Sequence, residues 1–149
     1  PISARYYDAS NATLTGTASL AQCSDGECLP TNAKVTSIGT NSSVSFSSVQ
    51  ASSSGMQILA VDYVNYDVAL GSAWDWGSNT RNMTVAVNGG QAKRWAFPLS
   101  GGDWYESGRL LVELDGFEEG DNTVVFAANK GDEWAPDLVG FEILEYQSP

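Results

Sequence analysis

The sequence predicts an all-β protein, a β-sandwich of the jelly-roll type. Three observations carry that expectation. Helical periodicity is nearly absent along the chain. Short apolar or alternating runs recur instead, each bounded by Gly, Asn, Asp or Ser. One such boundary, Asn88-Gly89-Gly90, is a strong hairpin signal, because a type I′ turn needs positive φ at both central residues. Many short strands at this spacing read as a sandwich.

The elements follow in order. Arg5–Ala9 is the first strand candidate, and Lys34–Ile38 and Ser43–Val49 are the next. Ala51-Ser52-Ser53-Ser54-Gly55 is a turn rather than a linker, and it leads into the apolar run Met56–Asn65. Tyr66 to Arg81 then breaks the pattern, with no clear period. Connections of that length inside compact domains are uncommon and usually functional or disordered, and its three aromatics, Tyr66, Trp74 and Trp76, argue against disorder. Asn82–Asn88 and Ala92–Leu99 flank the hairpin turn. Trp95 and Phe97 alternate within the second of these and are assigned to the core. Ser100-Gly101-Gly102 precedes Arg109–Leu114. Asp115-Gly116 and Gly120-Asp121-Asn122 set off Asn122–Ala127, and Leu138–Tyr146 is the last strand candidate. No repeat, boundary or low-complexity tract interrupts the chain, so residues 1–149 are expected to form one module.

Composition narrows the partners. A net charge of −11 and no basic run exclude nucleic acid and anionic lipid surfaces. No stretch reaches the roughly 18 apolar residues of a membrane helix. Cys23 and Cys28, with Ser-Asp-Gly-Glu between them, could be half a metal site. No histidine and no third cysteine exist to complete one, so a short disulfide loop is favoured, contributing about 2 kcal/mol. A disulfide implies an oxidising compartment. Asn11-Ala-Thr, Asn41-Ser-Ser and Asn82-Met-Thr are N-glycosylation sequons. Together these indicate a secreted, extracellular protein. Pro1-Ile2-Ser3 reads as a mature start, with any signal peptide outside the sequence.

The chemistry on offer is recognition rather than catalysis. Without histidine, no Ser-His-Asp or Cys-His arrangement can form, and no phosphate-binding loop appears. A carboxylate pair could serve a glycosidase, but eighteen acids make some close pair inevitable, so the signal is nearly empty. Aromatic residues near turns are over-supplied. Trp74, Trp76, Trp104-Tyr105 and Trp134 each have Asp or Glu within two residues. Sugars stack their C–H faces on such rings and bridge their hydroxyls to carboxylates and amides. The plainer reading is that these rings cap the ends of the sandwich core.

The ordered set of motifs resembles a family 35 carbohydrate-binding module, a relative of family 6. The opening Tyr-Glu-Ala-Glu-Asn-Ala of that family has its counterpart in Tyr7-Asp8-Ala9-Ser10-Asn11-Ala12-Thr13-Leu14. Lys34-Val35-Thr36-Ser37-Ile38-Gly39, Tyr63-Val64-Asn65, Val87-Asn88-Gly89-Gly90, Gly101-Gly102-Asp103-Trp104 and Trp134-Ala135-Pro136-Asp137-Leu138-Val139 follow in the family's order. The style of the set resembles the fungal modules attached to α-galactosidases and galactan-degrading enzymes.

The resemblance implies a non-catalytic jelly roll with a sugar site in the loops at one end. It implies that Asp137 touches sugar hydroxyls, that Trp104 or Tyr105 supplies the stacking ring, and that Arg81 opens the strand before the hairpin. Asp137 is expected to be exposed and unpaired, with Trp134 framing the site. Relatives often carry Tyr where Ser37 stands, and Tyr66, Trp74 or Trp76 of the long connection could replace that platform. The family's structural calcium uses two opening Glu and an Asp after Leu. Asp8, Ser10 and Val139 stand there, so Asp8 is the one candidate ligand left and the slight lean is toward loss of the ion.

The expected function is that of a monomeric accessory module, not an enzyme, holding a secreted glycoside hydrolase on galactose-containing plant polysaccharide. The ligand would be galactan or galactosyl side chains, and the catalytic domain would lie outside this chain. The alternatives are a stand-alone lectin or adhesion domain, a module for mannan or uronic acids, and a small enzyme.

Overall fold

The computed structural model describes residues 5–68 and 79–144. Among them the strands are β1 (Tyr6–Asp8), β2 (Thr13–Thr15), β3 (Ser19–Gln22), β4 (Ala33–Thr36), β5 (Ser43–Ala51), β6 (Gly55–Val64), β7 (Arg81–Val87), β8 (Lys93–Phe97), β9 (Gly108–Phe117), β10 (Gly120–Ala128) and β11 (Asp137–Leu144), with one 3-10 turn at Ala9–Asn11. They form two antiparallel sheets, one ordered β3-β4-β11-β6-β9 with β1 also on β11, the other β2-β5-β10-β7-β8. This is the expected sandwich. No helix among the described residues is long and apolar enough to cross a membrane.

Alternation along each strand sends one face inward. Leu59, Val61 and Tyr63 of β6, Val112 and Leu114 of β9 and Phe141 of β11 meet Val44, Phe46 and Val49 of β5, Phe126 of β10 and Met83 and Val85 of β7 in one core. Phe141 is the centre of that core, with ring centroids 4.9 Å from Phe46, 5.5 Å from Phe126 and 5.0 Å from Tyr7. The alternation of β5 breaks at Ser47-Ser48, where Ser48 has φ 58° and the pairing with β10 shifts between Asn122 and Val124. This bulge returns Val49 and Ala51 to the inner face. The Asn88-Gly89 turn has φ of 52° and 73°, as the hairpin reading required, and Gly90 N–H closes it onto Val87 O at 2.9 Å.

The sequence reading needs three corrections here. It lacks β2 and β3, because short, mostly exposed edge strands carry little apolar alternation. Asp115-Gly116 does not end a strand: β9 runs on to Phe117, whose buried ring anchors its end. Trp95 is half-buried rather than central. It packs against the core from β8, with the Lys93 ammonium 4.8 Å from its ring centroid, while its neighbour Phe97 is fully buried.

A polar row crosses the outer face of the first sheet. Tyr6 Oη donates to Asp62 Oδ2 at 2.8 Å, Arg109 Nε and Nη2 donate to Asp62 at 2.9 and 3.0 Å, and Arg109 Nη1 reaches Glu142 at 2.7 Å. Burial, then the bond to Asp62, holds the Tyr6 phenol well above the usual tyrosine range, and burial alone pushes Tyr63 up from 10.0 to about 12. A raised folded pKa gives stability that is present below the unfolded value and is lost as pH rises through the folded one. The melting temperature is therefore expected to fall as pH rises from about 10 to about 12. Tyr63→Phe should flatten that fall in a thermal-melt series across the interval, and an unchanged slope would refute the assignment.

Candidate functional site

At one end of the sandwich, Lys34 and Thr36 of β4, Ser37, Arg81 at the start of β7, Trp104, Trp134 and Asp137 at the start of β11 line a concavity of about 280 Å³. That is close to the ~300 Å³ lower bound of ligand clefts, a size for one small unit. Four residues singled out in the sequence thus meet from three separate segments: Arg81, Trp104, Trp134 and Asp137.

Each wall is held by local structure. Trp134 pairs with Gly39 in an isolated antiparallel bridge, and Ala135 N–H donates to Ile38 O at 2.9 Å. A Cβ at Gly39 would stand 2.8 Å from Trp134 Cζ3, so only glycine lets the indole lie on that backbone. Trp104 and Tyr105 are held by the cysteine loop. Cys23 and Cys28 form the expected disulfide, Cys28 N–H donates to Tyr105 O at 2.7 Å, and Trp104 packs on a small cluster of Cys28, Val64 and Val139. Arg81 lies over Trp104, its guanidinium carbon 4.8 Å from the ring centroid. Its Nε and Nη2 grip Asp67 Oδ2 at 2.9 and 2.8 Å, and Nη1 donates to Ala135 O at 3.0 Å.

The floor corrects the reading of Asp137. The residue is not exposed or unpaired: it is 4% exposed and its Oδ2 lies 2.7 Å from Lys34 Nζ. Thr36 also hydrogen-bonds it. Burial pushes the Asp137 carboxyl above the usual range, and the Lys34 ammonium and Thr36 pull it back. Lys34 is the residue sequence reasoning missed. Its ammonium has three donors. One goes to Asp137 and one to Trp104 O at 2.5 Å, and the ammonium also lies 4.9 Å from the Tyr105 ring centroid. Two signals pointed to it, a lysine inside the otherwise apolar run Ala33-Lys34-Val35 and its place at the head of the Lys34-Val35 motif, but a lysine in a strand ordinarily reads as solvent-facing.

The remaining candidates lie elsewhere. Tyr105 is 46% exposed and stands outside the lining, its ring centroid 4.9 Å from Lys34 Nζ. Tyr66 is half-buried and also off the lining. Trp74 and Trp76 lie outside the described residues. Asn11 and Asn41 are exposed, whereas Asn82 is half-buried and donates its side-chain N–H to Asp132 Oδ2 at 3.0 Å.

Of the three carboxylate positions of the family's calcium, this chain keeps only Asp8. Asp8 Oδ1 already accepts Ser10 N–H at 2.8 Å as the cap of the 3-10 turn, and Val139 offers a buried apolar side chain. No three acidic, cysteine or histidine side chains gather as a ligand group among the described residues. EDTA is expected to leave the melting temperature within about one degree. A site held at a hundredfold excess over its dissociation constant would instead lose roughly 3 kcal/mol, and a drop of many degrees would refute this reading.

No family model matches the chain. It is 37% identical over 157 residues to a probable α-galactosidase D of Aspergillus oryzae, covering 97% of this chain and 24% of that protein. The α-galactosidase D of Emericella nidulans is 36% identical over 153 residues, covering 94% and 23%. The chain thus spans about a quarter of the length of these relatives. Among solved structures, a family 35 carbohydrate-binding module from Clostridium thermocellum superposes with a TM-score of 0.78 at 22% identity, over 95% of this chain and 98% of that one. An exo-β-1,3-galactanase from Phanerochaete chrysosporium with galactose gives 0.76 at 24%, over 96% of this chain and 30% of that one.

The chain is a β-sandwich, and solved family 35 carbohydrate-binding modules share that fold. Its fold is that of family 35, the family its ordered motifs resemble.

Proposed function

We propose that this chain holds a secreted glycoside hydrolase on galactose-containing polysaccharide, with the concavity of Lys34, Arg81, Trp104, Trp134 and Asp137 as the sugar site. One observation carries the reading: two tryptophans and a buried ion pair converge on a cavity sized for one sugar ring. Its charges favour a neutral sugar. Lys34 is neutralised by Asp137 and Arg81 by Asp67, so no net positive charge is left to draw in a uronate. The α-galactosidase and galactanase relatives support galactose as the sugar and an attached catalytic domain. The disulfide supports secretion. A weak site suffices, because tethering raises the effective concentration of the enzyme at its substrate.

Calorimetric titration with galactose, β-1,3-galacto-oligosaccharides, galactomannan and a uronic acid tests this. Galactose-type sugars are expected to bind. Trp104→Ala should weaken them by about 1 kcal/mol or more through the lost ring face, with the fold kept because Trp104 is only partly buried. Binding of the uronic acid alone would overturn the galactose assignment. Release of reducing sugar from galactan, mannan or xylan by the repurified chain, abolished by changing one carboxylate, would overturn the binding-module reading itself.

A further inference from the structure

A second cavity, of about 400 Å³, adjoins the first, and the two share Arg81 and Trp134 as lining. We propose that it is a second glycosyl subsite, which takes the neighbouring unit of a neutral oligosaccharide whose first unit sits against Trp104. The proposal rests on the sugar-site reading above and extends it from one ring to two.

Three features carry it. The first is continuity. Because Arg81 and Trp134 belong to both cavities, a ligand chain leaving the first enters the second across the same indole. Trp134 is 39% exposed, so its ring has surface to offer there.

The second is a preset acceptor. Asp132 Oδ2 receives Asn82 Nδ2–H at 3.0 Å and Asn129 Nδ2–H at 3.2 Å, and Asp132 N–H closes the turn onto Asn129 O at 2.9 Å. The carboxylate is thereby oriented before any ligand arrives, which reduces the ordering cost of binding. Glu133 stands exposed beside it on the same lining.

The third is charge. Asp67 is balanced by Arg81, but neither Asp132 nor Glu133 has a salt bridge among the described residues. The second cavity is therefore net negative. It accepts hydrogen bonds from sugar hydroxyls and repels a carboxylate. The pair of cavities selects a disaccharide unit that is uncharged at its second position.

The experiment is calorimetric titration of the chain with galactose, β-1,3-galactobiose and a glucuronosyl-galactose disaccharide. Galactobiose is expected to bind about tenfold more tightly than galactose, the gain of one charged hydrogen bond. The uronate disaccharide should gain nothing over galactose. Glu133→Ala and Asp132→Asn should each bring galactobiose toward the galactose value and leave galactose unchanged. Glu133 is exposed on its turn, so that variant keeps the test independent of any disturbance of the Asp132 network. Equal affinity of the parent for galactose and galactobiose, or variants that weaken both sugars alike, would overturn the subsite while leaving the first cavity as the sugar site. Failure of the parent to bind either sugar would overturn both readings.

Discussion

Asp137→Ala is expected to lower the unfolding free energy by about 3–5 kcal/mol and to abolish sugar binding. The carboxylate and the Lys34 ammonium are 5% and 7% exposed as side chains and lie 2.7 Å apart. Removing one partner leaves the other as a buried charge without its counter-ion, and that desolvation sets the size of the loss. Lys34 keeps its bond to Trp104 O and borders the open concavity, so relaxation toward solvent brings the expected value to the lower end. At roughly 2–4 °C per kcal/mol for a chain of this size, the melting temperature should drop by about 6–12 °C. Urea unfolding and a thermal melt measure both quantities.

A paired substitution separates the structural role from the binding role. Replacing both charges, Lys34→Met with Asp137→Leu, removes the unpaired charge and should restore stability to within about 1 kcal/mol of the parent. Sugar binding should stay lost, because the polar floor of the concavity is gone. Should Asp137→Ala unfold as the parent does, the ion pair contributes nothing to the fold. Should the double variant bind sugar, Lys34 and Asp137 are not part of the site.

The residues of this floor show what the sequence could and could not disclose. Turn chemistry was legible: Asn88-Gly89-Gly90 specified positive φ, and the hairpin of β7 and β8 adopts it. The aromatic walls were legible as well, since Trp104 and Trp134 sit beside Gly, Asp and Pro where strands end. What sequence could not give was the partner of Asp137. A carboxylate after a proline at the mouth of a strand looks solvated, and only the pairing of β11 with β4 brings it against Lys34. Long-range charge pairing leaves no periodic trace, unlike the burial of an apolar face. The edge strands β2 and β3 were illegible for a related reason, because their residues are mostly exposed and need no apolar alternation. Tyr105 was read as a site residue from the family resemblance and Tyr66 from the long connection, and neither is on the lining of the first cavity.

Asn65→Ala is the other substitution expected to cost several kcal/mol, and its reasoning joins the core to the site. Asn65 is fully buried at the end of β6. Its Nδ2 donates to Asn79 O at 2.9 Å and Phe97 O at 3.0 Å, and its Oδ1 accepts Asp67 N–H at 3.0 Å. One amide thus ties together the end of β8, the start of the long connection after Tyr66 and the segment that returns from it. Alanine strands two carbonyls and one N–H in places where water is scarce. At about 1–3 kcal/mol for each unsatisfied buried group, and with the more exposed ones recovering water, the expected loss is roughly 3 kcal/mol. The effect should reach the sugar as well, since Asp67 is the carboxylate that fixes Arg81 over Trp104. Asn65→Asp keeps the acceptor for Asp67 N–H but loses both donors, so it should also destabilise while perturbing Arg81 less. Urea unfolding of both variants, with galactose titration under conditions where each remains folded, checks the argument. A loss below about 0.5 kcal/mol for Asn65→Ala would show that these three bonds do not hold the connection, and unchanged galactose affinity would show that Arg81 is positioned without Asp67.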